Sequence, residues 1–160
     1  MAKEHQYTIQ VEWTGNLGKG TKNYRAYSRN HEIMAIGKPM IPGSSDPSFR
    51  GDVHRYNPED LFVSTLASCH MLWYLHLCSA NEITVVEYVD KAEGVMEELE
   101  NGSGAFQQVT LKPTILIQES EKLELATSLH HEAHEMCFIA NSVNFPVLCE
   151  PVIRGGGDAS

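Results

Sequence analysis

Polar and apolar residues alternate from the start of the chain. YTIQVEW (7–13) reads as a β-strand, ended by Thr14-Gly15 and the glycine-rich turn NLGKG. TKNYRAYS (21–28) and HEIMAIG (31–37) predict two further strands of a meander, with Arg29-Asn30 as the turn between them. GKPMIPGSSDPSFRGDVHRY (37–56) then runs without a period through three prolines and three glycines. A loop that long inside a compact domain points to function, and it carries Arg50 and Arg55. The pattern changes at Asn57-Pro58-Glu59-Asp60, which reads as a helix start: Asn caps, Pro fits the first helical position, and the acids suit the positive end of the dipole. The predicted helix runs to about Ser79, and from Leu61 to Ala80 it contains no Lys, Arg, Asp or Glu.

EITVVEYVDKAEGVMEELE (82–100) and AFQQVTLKPTILIQES (105–120), separated by Asn101-Gly102-Ser103-Gly104, predict two long strands and a hairpin turn. Leu123, Leu125, Ala126, Leu129, Ala133 and Met136 have helical spacing, so a second helix is expected from Glu121 to near Cys137. FIANSV (138–143) suggests a short further helix, PVLCEPVIR (146–154) a last strand, and 155–160 a frayed tail. The fold class is therefore α+β, as one domain over residues 1–154.

At 160 residues the chain suits a single core. A net charge of -9 repels phosphate backbones and anionic bilayers, which argues against nucleic-acid and membrane partners. No basic stretch precedes an apolar one at the start, so no signal peptide is read and a cytoplasmic location is expected. The four cysteines lack CxxC spacing and are expected as thiols. Residues 61–80 are long enough to span a bilayer, but Ser64, Thr65, Ser68, His70, His76 and Ser79, and the lack of basic anchors, oppose it. An uncharged helix needs burial on every side, more than one strand-rich chain of this length provides. A homodimer packed about its central helices is predicted.

A lone cysteine is most often a small core residue. Cys69 differs because Cys137 ends another predicted helix and an arginine-bearing loop precedes the first. A thiol peroxidase needs those parts: a thiolate, a cation to keep it ionised, and a second thiol to condense with the sulfenic acid. Two other readings stand beside it. His130, His134 and Cys137 lie one helical turn apart in succession and, with Cys69 or His70, would make a zinc site. HEAH spaces its histidines by three rather than four, which excludes the HExxH metalloprotease pattern. The third reading is a binding or redox-sensing protein without turnover. Cys78 and Cys149 read as structural thiols, and His70 as a packed histidine.

NPEDLFVSTLASCH, taken with HHEAHEMCFIANSV, resembles the OsmC/Ohr family of osmotically inducible and organic hydroperoxide resistance proteins. Trp13-x-Gly15 and Gly18-Lys19-Gly20-Thr21 are similar to the family's first hairpin, so the resemblance extends over about residues 7–153. It implies an N-terminal β-meander, a long buried central helix, a β-hairpin, a second helix and a C-terminal strand, in an intertwined homodimer. It also implies thiol-dependent reduction of organic hydroperoxides, with hydrogen peroxide a further candidate; no cofactor or metal is expected, and a dithiol of lipoyl or thioredoxin type is expected to recycle the enzyme. On this resemblance Cys69 is the peroxidatic and Cys137 the resolving cysteine, and Glu59 orients an arginine. OsmC-type members point to Arg50 in SFRGD; Ohr-type members use the first hairpin, where Lys19 and Arg25 stand, and Arg55 is a further candidate.

On one straight helix Glu59 and Cys69 would sit about 15 Å and about 80° apart, so the arginine loop and Glu59 of one subunit are expected to meet Cys69 of the other. The helix dipole acts mainly in the first turn, which leaves thiolate stabilisation to the arginine. Phe62, Met71, Trp73 and Phe138 are candidates for an apolar peroxide pocket.

Overall fold

The computed structural model describes residues 1–156, and these fall into two compact units, Met1–Phe62 and a second that begins at Val63. In the first unit, β1 (Gln10–Trp13), β2 (His31–Met34) and β3 (Ile41–Gly43) form an antiparallel sheet in that order, with Trp13 opposite His31 and His31 opposite Gly43. The meander is present, but its strands are not all the predicted ones. TKNYRAYS is a succession of turns, and the third strand lies in the stretch read as aperiodic loop.

Arginine explains the difference. The Arg29 guanidinium lies over the rings of Tyr24 and Tyr27, at 4.3 and 4.0 Å, and donates to both their carbonyls. Local bonds of this kind replace ladder bonds. The Trp13 indole donates to Ser28 O at 2.8 Å, and a Cβ on Gly15 would collide with that same carbonyl, so Trp13-x-Gly15 closes the loop.

The helix α1 (Pro58–Ala80) starts with a reciprocal cap: the Asp60 amide donates to Asn57 Oδ1 at 2.8 Å and the Asn57 amide to Asp60 Oδ2 at 3.2 Å. At its other end the Ile83 amide returns to Cys78 O at 2.9 Å while Glu82 takes φ 56°, and Lys122 Nζ donates to the carbonyls of Asn81 and Glu82. Only glycine holds such a φ without strain. Glu82→Gly is therefore expected to stabilise the chain by about 0.5–1 kcal/mol, read as a raised urea midpoint at unchanged slope.

The second unit has two three-stranded sheets. One orders β4 (Val85–Asp90), β7 (Pro113–Ile117) and β9 (Val152–Gly155); the other orders β5 (Glu93–Glu98), β6 (Gly104–Leu111) and β8 (Val147–Cys149). The hairpin pairs are antiparallel, and β8 and β9 add in parallel to β6 and β7. Each long segment read as one strand thus divides between two sheets: β4 from β5 at Lys91-Ala92, β6 from β7 at Lys112, and β8 from β9 at Glu150-Pro151. At the crossing the Lys112 amide donates to the Asp90 carboxylate at 2.7 Å instead of to a neighbouring strand. Pro113, which follows one break, and Pro151, which lies in another, lack an amide hydrogen.

The helix α2 (Leu123–Met136) and the short 3-10 turn Ala140–Ser142 fall where the pattern placed helices. Tyr74, Leu77 and Cys78 of α1 and Ala126, Leu129 and Ala133 of α2 pack with Ile115 and Ile117 in one core cluster; Leu66 joins Val109 and Leu111 in a second. Within this single chain α1 is not buried on every side as expected. Leu66, His70, Tyr74, Leu77 and Cys78 form a buried stripe, whereas Leu72 is 62% exposed. Of the tail read over 155–160, Gly155 belongs to β9, and 157–160 lie outside the described residues.

Candidate active site

Cys69 sits half-buried on the flank of the α1 stripe, one residue before buried His70. Cys137 follows the last turn of α2, where an extended backbone (φ -70°, ψ 111°) ends the helix and turns the side chain inward, fully buried. The Cys69 thiol is its neighbour and interacts with it electrostatically, and both cysteines are free thiols. Burial, and then the neighbouring Cys69, push the Cys137 thiol up to about 11, against the Ala140 amide, which donates to its sulfur at 3.5 Å and favours the thiolate. The two cysteines singled out by sequence are thus neighbours in space.

Beside them Trp73 packs edge-on against Phe138, centroids 5.7 Å apart, and lines with Leu72 and His76 a shallow apolar recess of about 240 Å³. Phe62 belongs to the first unit and Met71 does not line this recess.

The remaining predicted residues lie in the first unit. Arg50 caps the 3-10 turn Pro47–Phe49 with φ 64°, exposed, and among the described residues its guanidinium has no hydrogen-bond or ion-pair partner. Arg55 is committed, donating to His31 O at 3.2 Å and pairing with Asp52 at 3.8 Å. Lys19 and Arg25 stand in the turns between β1 and β2, and Glu59 is half-buried in the first turn of α1.

Of the residues in the zinc reading, His130 and His70 do meet, but Cys137 does not join them. His130 turns to His70, with Nδ1 3.0 Å from His70 Nε2, and to Cys149, while Cys137 turns to Cys69. The reason is geometric: Cys137 lies past the helix end, where the backbone leaves helical φ and ψ, so it no longer continues the face of His130 and His134. His131 pairs with Glu135 on the exposed face at 3.3 Å. Burial pushes both His70 and His130 well below the ordinary histidine range, which keeps them neutral, and raises Cys149 to about 12, with Asp90 and Glu150 adding to the rise. Spacing could not have found this group, since His70 is 60 positions from His130 and 79 from Cys149.

These features define an α+β protein with two helices, several small sheets and a pair of reduced thiols where the second helix ends. The chain belongs to the OsmC-like protein family, whose model matches residues 50–151. It is similar to an OsmC-like protein of unknown function from Vibrio cholerae, with 31% identity over 93% of this chain and 100% of that one, and a TM-score of 0.83. An organic hydroperoxide resistance protein from Elizabethkingia anophelis shares the fold at 19% identity, over 96% and 100% of the two chains, with a TM-score of 0.65. The organic hydroperoxide resistance protein OhrB of Bacillus subtilis does so at 19% identity, over 92% and 98%, with a TM-score of 0.56. No curated protein sequence matches the chain.

Proposed function

We propose that this chain is a thiol-dependent peroxidase that reduces organic hydroperoxides through Cys69 and Cys137. The observation that carries the reading is the reduced pair itself: two thiols far apart in sequence meet, one half-exposed and one buried. Family membership and the hydroperoxide resistance names of proteins with this fold support it.

The Cys69 thiolate attacks the terminal oxygen of the hydroperoxide, the O–O bond breaks, and the alkoxide leaves as the alcohol after taking a proton. Cys137 then attacks the Cys69 sulfenic sulfur, hydroxide leaves as water, and a disulfide forms. An external dithiol of lipoyl or thioredoxin type restores both thiols and is itself oxidised. The recess at Leu72, Trp73 and His76 suits an alkyl group. Exposed Leu72 and Phe138 support a homodimer, and four unpaired cysteines suit a reducing, cytoplasmic setting.

On the family resemblance, Arg50 of one subunit, oriented by Glu59, supplies the cation beside Cys69 of the other, Arg55 being already bonded to His31 O and paired with Asp52. The left-handed φ of Arg50 costs stability that glycine would not lose. Arg50→Gly is therefore expected to raise stability while lowering the rate of Cys69 oxidation roughly a hundredfold. A variant with an unchanged oxidation rate would assign the cation elsewhere.

The reading is tested by adding one equivalent of tert-butyl hydroperoxide to the reduced chain. The titre of four thiols is expected to fall to two, and an added dithiol to sustain consumption. Thiols that stay at four reject the proposal, and oxidation without sustained turnover replaces it with a sensor.

A further inference from the structure

Three ligand-type side chains that the peroxidase chemistry does not use converge inside the second unit. His70 comes from α1, His130 from α2 and Cys149 from the end of β8, with donor atoms all within 4.8 Å of one another. His70 Nε2 and His130 Nδ1 are 3.0 Å apart, and Cys149 Sγ is 3.8 Å from the first and 3.7 Å from the second. A tetrahedral zinc ion, about 2.0–2.1 Å from nitrogen and about 2.3 Å from sulfur, sets two nitrogens about 3.4 Å apart and nitrogen from sulfur about 3.6 Å apart. All three edges lie within about 0.4 Å of that figure.

A hydrogen bond between two packed histidines accounts for the short edge alone. It does not account for a sulfur placed almost equally from both nitrogens. The surroundings carry a second sign. Of the four buried side-chain polar atoms without a partner among the described residues, two are Tyr88 Oη and Asp90 Oδ2. Asp90 and Tyr88 both interact electrostatically with Cys149. Buried polar atoms are rarely left in such a group without a polar or ionic occupant.

We propose that His70, His130 and Cys149 form a binding site for one thiophilic ion of the zinc class. On binding, the Cys149 S–H bond is broken, its proton passes to solvent and a sulfur–metal bond forms. The hydrogen shared by the two rings moves to an outer ring nitrogen, so that both facing lone pairs reach the ion. No oxidation state changes, and the fourth position takes water or a small ligand. The carboxylate of Asp90 adds negative charge near a dication. The ion would join α1, α2 and β8 at the residue beside Cys69. This site shares no ligand with the thiol pair and does not depend on the peroxidase reading.

The test titrates cobalt(II), as an optical substitute for zinc, into the full reduced chain freed of metal. One equivalent per chain is expected to give a thiolate-to-cobalt charge-transfer band with the intense visible bands of a tetrahedral site, and zinc to displace it. Cys149→Ala should lose the charge-transfer band and weaken binding at least tenfold, with circular dichroism reporting the fold. His134→Ala and the Cys69→Ser/Cys137→Ser double variant should keep both. X-ray absorption of the zinc-loaded wild type, expected to show one sulfur and two imidazoles, decides the matter even if Cys149→Ala does not fold. Failure of the folded wild type to bind one equivalent, a band that survives Cys149→Ala, or an all-oxygen shell would overturn the proposal.

Discussion

Replacing Cys69 by serine is expected to reduce peroxide consumption by roughly three orders of magnitude or more, because a hydroxyl does not ionise near neutral pH and attacks O–O bonds poorly. The loss should be chemical rather than structural. Cys69 is half-buried and belongs to neither core cluster, so the melting temperature should stay close to that of the wild type. Cys137→Ser separates the two steps: it should consume one equivalent of hydroperoxide, gain one oxygen in intact mass, and progress to the sulfinic acid under excess peroxide for want of a resolving thiol. In the wild type the Cys137 proton is held until about pH 11, chiefly by burial. Only a small thiolate fraction exists at pH 7, and it grows with pH. Disulfide formation after Cys69 oxidation should accelerate about tenfold per pH unit below that value. A flat profile would remove Cys137 from the step. Consumption undiminished in Cys69→Ser would remove Cys69 from the chemistry.

What the sequence made legible follows the range of the interactions involved. The start of α1 is local: Asn57 and Asp60 are three residues apart and satisfy one another, so a reader of NPED places it to within a residue. The helix α2 announces itself by period, and Asn101–Gly104 by its turn residues. The division of the long hairpin between two sheets is not local. No glycine or proline punctuates residues 88–93, and what bends the ribbon is the Asp90 carboxylate capturing the Lys112 amide, a bond across 22 positions. TKNYRAYS has strand composition but is folded by one arginine lying outside it. The thiol pair is marked by residue type and by helix position, its roles follow from resemblance, and spacing alone says nothing about the approach of two cysteines on different helices. Of the His70–His130–Cys149 group, the zinc reading named the two histidines and took Cys137 for the thiol, because helical spacing along α2 says nothing of a cysteine at the end of a distant strand.

The largest loss of stability is expected at Tyr74, the side chain through which α1 grips α2. It is fully buried, its hydroxyl donates to Ala126 O at 2.9 Å, and its ring stacks on His130 with centroids 3.9 Å apart. Tyr74→Ala removes the ring from the larger core cluster and should cost about 3–5 kcal/mol in urea unfolding. Tyr74→Phe keeps the ring and loses one hydrogen bond, for about 1 kcal/mol at pH 7. The phenylalanine variant also carries a pH signature. Burial, with Cys78 beside it, pushes the Tyr74 hydroxyl well above the ordinary tyrosine value of 10.0. The unfolded chain therefore releases this proton near pH 10 while the folded chain retains it. The tyrosine's contribution is fully present below that pH and is lost as pH rises through the folded value. The stability gap between wild type and Tyr74→Phe should accordingly close and then invert above about pH 10, because phenylalanine has no proton to lose. A gap that stays constant from pH 7 to pH 11 would mean that the hydroxyl titrates alike in both states, and burial would then not be what holds it neutral.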